Sequence, residues 1–374
     1  MMCQGGSSLL WPFFTLKHPS FPTQQNTGLV NPPHMENKPV TLKLIAKELK
    51  LSISTVSKSL KDYPRIKEST KQRVKELAER LNFTPDVSAL RLRDRKSRII
   101  GIILPNLSDH FFTRSIYGME QLATTHGYNI IISQSHDNYE MEVMAAAALL
   151  GSRVDGLIVA ISKQTSDFTH LDQFEKIGIP VVYYTRNPSF NLNCHKVLSN
   201  THQGCYMATE YLINRGHQKV AYLGGPKMVN FSHDRFSGYI NALKDNNISF
   251  NAAHVAYTDF DEENNLLAIK KLFSDHDSSP TALVAFKEKL LFDTLRFLKS
   301  VDHPAYQSLE CIGFGNDPII AYLSSSPIAS IEENPELLGE QAVSLVVKLI
   351  SGEVGTNAYK KVIVNCNLKV HETS

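Results

Sequence analysis

The sequence has few of the features that mark secreted, membrane-spanning or metal-binding proteins. Its five cysteines are far apart, and no two have the spacing of a metal-ligand or redox-active pair: Cys3, Cys194, Cys205, Cys311 and Cys366. This pattern predicts reduced thiols in a cytosolic protein, without a disulfide framework. The 14 histidines are dispersed and form no HExxH arrangement, so we predict that the protein binds no metal.

Long apolar runs and nucleotide-binding motifs are also missing. No stretch approaches the roughly 20 apolar residues that a transmembrane helix needs. The apolar residues 9–14 include a proline and follow no basic segment, unlike a secretory signal. The chain contains neither GxxxxGKS/T nor GxSxG, and no GxGxxG opens a helix. We therefore expect neither a membrane protein nor an enzyme, and no cofactor.

Positive charge is concentrated in one short part of the chain. Between Val40 and Arg98 there are 16 Lys or Arg and 7 Asp or Glu, which leaves 23 basic and 30 acidic residues elsewhere. A small basic module joined to a mildly acidic body predicts that one part alone binds a polyanion. Considered by itself, such a run of charge is more typical of a solvated basic surface.

The length of 374 residues predicts at least two domains. Residues 1–36 are rich in Pro, Ser, Thr, Asn and Gln and lack apolar periodicity. We therefore predict a disordered extension over residues 1–38, with Met35 as an alternative start of translation.

Residues 39–84 carry the pattern of three short helices. Thr41 can cap a first helix, and Ser52 can cap a second over residues 53–60, after a break of about three residues. A third helix is expected over residues 68–82. Two short helices at this spacing are typical of a helix-turn-helix. The second helix would expose small hydroxyls and one cation, which suit base edges and phosphates.

Residues 40–60, VTLKLIAKELKLSISTVSKSL, resemble the signature of the LacI/GalR family of bacterial transcription regulators, V-T-x-x-x-I-A-x-x-A-G-V-S-x-x-T-V-S-R-x-L. Two departures stand out: Leu49-Lys50 replaces Ala-Gly in the turn, and Lys58 replaces Arg. Lys58 lacks the bidentate fork with which Arg contacts guanine. The resemblance implies that the following residues contact DNA: Thr41, Ser52, Ile53, Ser54, Thr55, Ser57 and Lys58.

Residues 85–98 form a basic segment that also carries apolar side chains. In the family, a short hinge helix lies here in the minor groove. By this resemblance Leu92 is the apolar wedge that kinks the duplex, and Ala89 lies where two hinge helices meet across a dimer. A helix this short is marginal in water, so we expect it to order only on DNA.

From Ile99 onward, apolar β runs alternate with amphipathic helical stretches. The runs cover residues 99–104, 128–133, 156–160, 179–184, 219–224, 281–286 and 309–314, with strand-like residues again at 360–370. This order predicts parallel sheets in α/β layers. Residues 99–374 contain too many units for one lobe, so we predict two lobes that divide near residues 186–200. The segment also resembles the family's effector domain, which is similar to periplasmic sugar-binding proteins.

The resemblance predicts an effector site in the cleft between the lobes, beyond the carboxyl ends of the strands. Arg235 matches the family arginine that contacts the effector, although an interlobe ion pair is the alternative. Asp109 and Phe112 follow the first strand, where a polar group and an aromatic wall can meet a sugar; core packing is equally plausible for Phe112. Arg186 and Gly315 complete the predicted site.

Two departures bear on the class of effector. The family's Gly-Phe-Asp-Asp is replaced by residues 313–316, Gly-Phe-Gly-Asn, and its Asn-Asp pair by Lys287-Glu288. A cleft that loses an aspartate and gains a lysine would suit an acidic or phosphorylated effector, provided that Lys287 faces it.

Together these features predict a cytoplasmic, nucleoid-associated transcription regulator that binds a pseudo-palindromic operator as a homodimer. Its small-molecule effector would be a sugar or sugar derivative. Repression is the more usual outcome in the family, and activation is the alternative. A solute-binding protein without a regulatory role is the competing interpretation of the two-lobed body.

Overall fold

The computed structural model describes residues 40–83, 96–186, 193–227, 230–274, 279–323, 327–356 and 358–371. The chain divides into two compact units, Met1–Val87 and Ser88–Ser374, and each is described by itself. The extension predicted over residues 1–38 lies outside the described residues. So do Ala89 and Leu92 of the predicted hinge.

The first unit contains three short helices around a small apolar core, which we call the headpiece (residues 40–83). The helices are α1 (Leu42–Leu49), α2 (Ile53–Leu60) and α3 (Glu68–Arg80). The predicted caps are present, because Thr41 Oγ1 accepts a hydrogen bond from the Leu44 amide at 3.3 Å and Ser52 Oγ from the Thr55 amide at 3.1 Å. The fully buried core side chains include Ile45, Val56 and Val74.

The second unit contains two lobes, each built on one six-stranded sheet. The first sheet has the order β11-β5-β4-β3-β1-β2 and its strands pair in parallel. The second has the order β12-β10-β9-β8-β6-β7, and β12 alone is antiparallel to its neighbour. The strands of the first lobe are β1 (Ile99–Leu104), β2 (Asn129–Gln134), β3 (Gly156–Val159), β4 (Val181–Tyr184), β5 (His195–Asn200) and β11 (Lys361–Asn365). Those of the second lobe are β6 (Val220–Gly224), β7 (Val255–Tyr257), β8 (Ala282–Ala285), β9 (Glu310–Phe314), β10 (Ala329–Glu332) and β12 (Asn367–Val370).

Helices cover the faces of both sheets, as parallel sheets require. The first lobe has α4 (His110–Thr125), α5 (Tyr139–Gly151), α6 (Thr169–Lys176) and α11 (Pro335–Ser351), and the second has α7 (Thr201–Asn214), α8 (Asn230–Asp245), α9 (Glu262–Leu272) and α10 (Glu288–Ser300). The predicted fold class, an α/β two-lobed body that follows a three-helix headpiece, is confirmed.

The chain crosses between the lobes three times. It passes into the second lobe after β5, at the carboxyl end of the predicted dividing region. It returns between β10 and α11, and crosses again between β11 and β12. The pattern of apolar runs did not predict the second and third crossings.

Four asparagines tie these crossings together. Asn200 Nδ2 donates to Asn365 Oδ1 at 2.9 Å, and Asn334 Nδ2 donates to the Asn365 carbonyl at 2.8 Å. Asn367 Nδ2 in turn donates to Asn334 Oδ1 at 3.1 Å. We call Asn200, Asn334, Asn365 and Asn367 the asparagine clasp. It links all three connections between the lobes.

Candidate functional site

The exposed surface of α2 carries short polar side chains, one lysine and one apolar side chain. Ser54 and Lys58 are exposed, Thr55 and Ser57 are half-buried, and Ile53 is 49% exposed. An exposed isoleucine at the first turn of such a helix can contact a thymine methyl group, and hydroxyls can contact any base.

A hydroxyl network fixes the start of α2. Ser52 Oγ lies 2.9 Å from Ser54 Oγ and 2.8 Å from Thr55 Oγ1. At the other end, Lys58 Nζ lies 5.7 Å from the centre of the Tyr63 ring. The turn before α2 begins at Lys50, which closes α1 with φ 54° in the left-handed conformation where the family has glycine.

A cleft of about 690 Å³ lies between the two lobes at the carboxyl ends of their strands. A cleft in this position is the usual ligand site of α/β folds, and the volume is within the range of small-molecule pockets. All five residues predicted to contact an effector line it: Asp109, Phe112, Arg186, Arg235 and Gly315. The structure therefore brings together residues that are up to 206 positions apart in the sequence.

The first-lobe wall contains Asp109, Phe112 and an ion pair. Arg186, which follows β4, is bound by Asp137, which follows β2, and also donates to the Ile161 carbonyl at 3.1 Å. Burial raises the pKa of Asp137, but the Arg186 guanidinium together with the amide and charge of Lys163 outweighs this effect, so the pKa lies below its usual value. Phe112 lines the cleft and also packs in the core of the first lobe, where only 5% of its surface is exposed.

The second-lobe wall is organised around Arg235. Its guanidinium lies 3.7 Å from the centre of the Phe314 ring and 4.3 Å from that of Phe286. Arg235 Nη2 pairs with Glu333 Oε1 at 2.9 Å, and Nη1 donates to the Phe286 carbonyl at 2.5 Å. Glu333 directly follows β10, so this ion pair lies within the second lobe and does not join the lobes.

Lys287 and Glu288 both line the cleft, and both have internal partners. Lys287 faces the cleft and forms an ion pair with Asp109. Glu288 accepts hydrogen bonds from Ser330 Oγ at 2.5 Å and from the Asp317 amide at 3.0 Å. Burial raises the pKa of Glu288, and these hydrogen bonds only partly oppose it.

Several cleft residues were not singled out from the sequence: Asp137, Lys163, Phe260 and Asp317. Asp137, Lys163 and Asp317 come within four residues of the end of a strand that the apolar runs indicated. Position after a buried parallel strand was therefore the signal that could have found them. Phe260 could not have been found this way, because it follows β7, which was not predicted.

Among the described residues, no helix has the length and apolar character that a membrane span requires. The same residues contain no cluster of three or more potential metal-binding His, Cys, Asp or Glu side chains.

Comparison with known protein families supplies the deciding observation. Residues 41–86 match the model of bacterial regulatory proteins of the lacI family, and residues 97–372 match that of periplasmic binding proteins and the sugar-binding domain of the LacI family. The chain belongs to the LacI family. As a member, it is a DNA-binding transcription regulator with an effector-binding domain.

Individual LacI-family proteins are similar to this chain over most of its length. Catabolite control protein A of Priestia megaterium is 27% identical over 84% of this chain and 93% of its own. The transcriptional repressor PurR of Vibrio vulnificus is 26% identical over 83% of this chain and 92% of its own. A crystal structure of the Lac repressor dimer bound to operator and an anti-inducer is 20% identical, with a TM-score of 0.76 over 89% of this chain and 98% of its own. That structural likeness shows the shared fold.

Proposed function

We propose that this regulator binds a pseudo-palindromic operator as a homodimer and that a neutral, sugar-like effector in the cleft sets its operator affinity. The observation that carries the choice of a neutral ligand is the charge pairing in the cleft. Each cationic side chain among its described lining residues has an internal acceptor. The pairs are Arg114–Glu336, Lys163–Asp259 carbonyl, Arg186–Asp137, Arg235–Glu333, Lys287–Asp109 and Lys289–Asp293.

An acidic or phosphorylated ligand would bring a further negative charge into a site in which five of the six cations are already paired with carboxylates. Burying an uncompensated charge is costly, whereas sugar hydroxyls can share donors and acceptors that already have partners. Phe112, Phe260 and Phe314 add apolar walls for the faces of a sugar ring. These features support a neutral sugar over the acidic class that Lys287 alone would favour.

The proposed contacts with the operator are those of the helix-turn-helix. Ile53, Ser54 and Ser57 would face base edges in the major groove and Lys58 would contact a phosphate, while Thr41, Ser52 and Thr55 would contact the backbone or fix the helix. Ala89 and Leu92 would act in the minor groove, as the family resemblance implies. Binding to operator DNA places the protein in the cytoplasm, on the nucleoid.

A symmetric dimer would present two headpieces and two hinges to the two half-sites of the operator. The Lac repressor, whose fold this chain shares, binds its operator as a dimer. The second candidate is a solute-binding protein without a regulatory role. It is disfavoured because such a protein would not need a DNA-binding headpiece.

The relatives that match are regulators. We therefore propose that the cleft binds its ligand without catalysis.

Two measurements test the proposal. Selection of bound sequences from random DNA should recover a pseudo-palindrome, and recovery of no specific sequence would contradict operator binding. Titration calorimetry should show that neutral mono- or disaccharides bind, and that sugar phosphates and uronates bind more weakly or not at all. Arg235→Lys should weaken the sugar binding, since lysine cannot stack on Phe314 with a planar fork. Tight binding of sugar phosphates alone would overturn the neutral class.

A further inference from the structure

Two lysines bridge the cleft in opposite directions. Lys287 of the second lobe forms an ion pair with Asp109 of the first. Lys163 of the first lobe reaches the other way, and its Nζ donates to the Asp259 carbonyl of the second lobe at 3.4 Å. The cleft is thus spanned by the protein's own side chains.

Asp109 is anchored in the first lobe by a helix cap. It caps α4, with Oδ1 accepting a hydrogen bond from the Phe111 amide at 3.1 Å. Its other oxygen, Oδ2, accepts from Lys287. One carboxylate therefore joins a helix start in its own lobe to a cation of the opposite lobe.

Lys287 is also positioned by contacts within the second lobe. It directly precedes α10, and its Nζ lies 5.2 Å from the centre of the Phe260 ring. The side chains of Lys287 and Asp109 are 37% and 20% exposed. The pair is therefore partly desolvated, so it is stronger than a pair in open water yet accessible to a ligand.

The other ion pairs of the described cleft lining each stay within one lobe. Arg114–Glu336 and Arg186–Asp137 lie in the first lobe, and Arg235–Glu333 lies in the second. Lys289 also lines the cleft, but it pairs with Asp293 one turn along the same helix, α10. Lys287–Asp109 is the one among these pairs that would break if the lobes separated.

We infer that Lys287 and Asp109 form a latch that holds the lobes closed in the absence of effector, and that an effector acts by taking over Asp109. The action of the effector on Asp109 rests on the proposed function, whereas the latch itself does not. A ligand hydroxyl that donates to Asp109 would compete with Lys287 for that carboxylate, and the Lys287 ammonium, whose side chain is 37% exposed, would turn to solvent. Differential contact of this kind is what lets a ligand shift a two-state equilibrium.

The lobe separation can be measured directly by pulsed electron paramagnetic resonance. Spin labels would be placed at Thr125→Cys and Ser300→Cys, which are exposed at the ends of α4 and α10. Cys194, Cys205, Cys311 and Cys366 are buried, and Cys3→Ser removes the remaining thiol. Labelled protein would be diluted with an excess of unlabelled protein so that distances within one chain dominate.

Three variants isolate the latch. Asp109→Asn removes the charge but keeps a side chain that can cap α4. Lys287→Met keeps the length of the side chain and removes its charge. Lys289→Met is the matched control, because it makes the same change at a cleft lysine whose partner is in its own helix.

The parent protein and Lys289→Met should give one short distance, and Asp109→Asn and Lys287→Met should add a longer population. Operator affinity should change about two- to fivefold in either variant, and the double variant should change no more than the larger single effect. Distance distributions that match the parent in both variants would overturn the latch. If the parent binds no operator, the proposed function fails, while the distances still decide the latch.

Discussion

Gly315 and Glu288 lie in contact, such that a β-carbon at residue 315 would be 2.4 Å from Glu288 Oε2. Gly315 also has a φ of 152°, a conformation that side-chain-bearing residues rarely adopt. The two departures from the family pattern, glycine at 315 and Lys-Glu at 287–288, are therefore linked. The carboxylate of Glu288 occupies the space that a side chain at 315 would need.

This contact predicts that Gly315→Ala is destabilising. Both the backbone conformation and the contact with Glu288 oppose a methyl group, so we expect the free energy of unfolding to fall by about 2–4 kcal/mol. Urea unfolding measures the loss. Gly178→Ala is the control, because Gly178 has a φ of 82° and no atom within 4 Å of its β-position. It should lose about 1 kcal/mol from strain alone; an equal loss in both variants would show that Glu288 does not matter.

The second prediction concerns acid stability and the Glu310 carboxylate. Glu310 accepts two hydrogen bonds from Arg215, each of 2.6 Å, and one from His217 at 2.9 Å. These bonds hold the pKa of Glu310 at about 2. A folded-state pKa below the unfolded value of 4.5 adds stability that is complete above about pH 4.5 and lost as the pH falls towards 2. Glu310→Gln should therefore be less stable than the parent at pH 7.

The difference between Glu310→Gln and the parent should shrink steadily below pH 4.5, as followed by urea unfolding at several pH values. Because Arg215 is half-exposed, solvent screening should keep the difference small. Glu262→Gln changes the same charge at an 84% exposed carboxylate beside Arg296 and serves as the control. A difference that is constant with pH would contradict the role of the Glu310 carboxylate.

The third prediction distinguishes the residue of α2 that contacts a phosphate from the residue that contacts a base. Lys58→Ala should weaken binding to all DNA sequences and reduce the salt slope of log affinity by about 1, because one phosphate contact is lost. Ser54→Ala should change the preferred base at one position of each half-site and leave the slope unchanged. Fluorescence anisotropy with labelled operator DNA at several salt concentrations distinguishes these two effects. Lys244→Ala, at an exposed lysine of α8, should leave both quantities unchanged; the same reduction in slope there would refute a specific role for Lys58.

The fourth prediction concerns the asparagine clasp. Asn334 has a φ of 53°, so Asn334→Gly keeps the backbone conformation but removes the amide that joins two crossings. We expect it to reduce the factor by which effector changes operator affinity, with little loss of stability. Asn334→Ala should in addition lose about 1 kcal/mol of unfolding free energy.

The matched control for the clasp is Asn247→Gly, because Asn247 has a φ of 55° and lies just after α8, away from the crossings. Operator titrations with and without effector measure the coupling factor. An unchanged factor in Asn334→Gly would show that the clasp does not transmit the lobe movement.

Local sequence signals predicted the headpiece well. Thr41 and Ser52 begin their helices as expected, because cap preference depends on a few neighbouring residues. The third helix was predicted to Asn82 and ends at Arg80. The turn at Lys50 forms without glycine, since the left-handed conformation costs a lysine about 1–2 kcal/mol that the helix packing outweighs.

The strands that were missed have weak local signals. β5 has the sequence HKVLSN, β7 has three residues, and β10 is ASIE. Each is short or polar, and its pairing partners decide its structure. The residues that line the cleft could be inferred from position after a strand, but their pairing could not. Lys287 and Asp109 are 178 positions apart, and nothing near either residue in the sequence indicates the other.

The return of the chain to the first lobe has a consequence for biosynthesis. α11 contributes Leu338, Val343 and Val346 to the core of that lobe, and β11 pairs with the edge strand β5. Both are translated after β6–β10, so the first sheet keeps an open edge and an uncovered apolar face while most of the second lobe is made. We expect the first lobe, although most of its strands are translated first, to complete its fold only after residues 335–365 have been made, and the nascent chain to need protection from edge-to-edge aggregation until then.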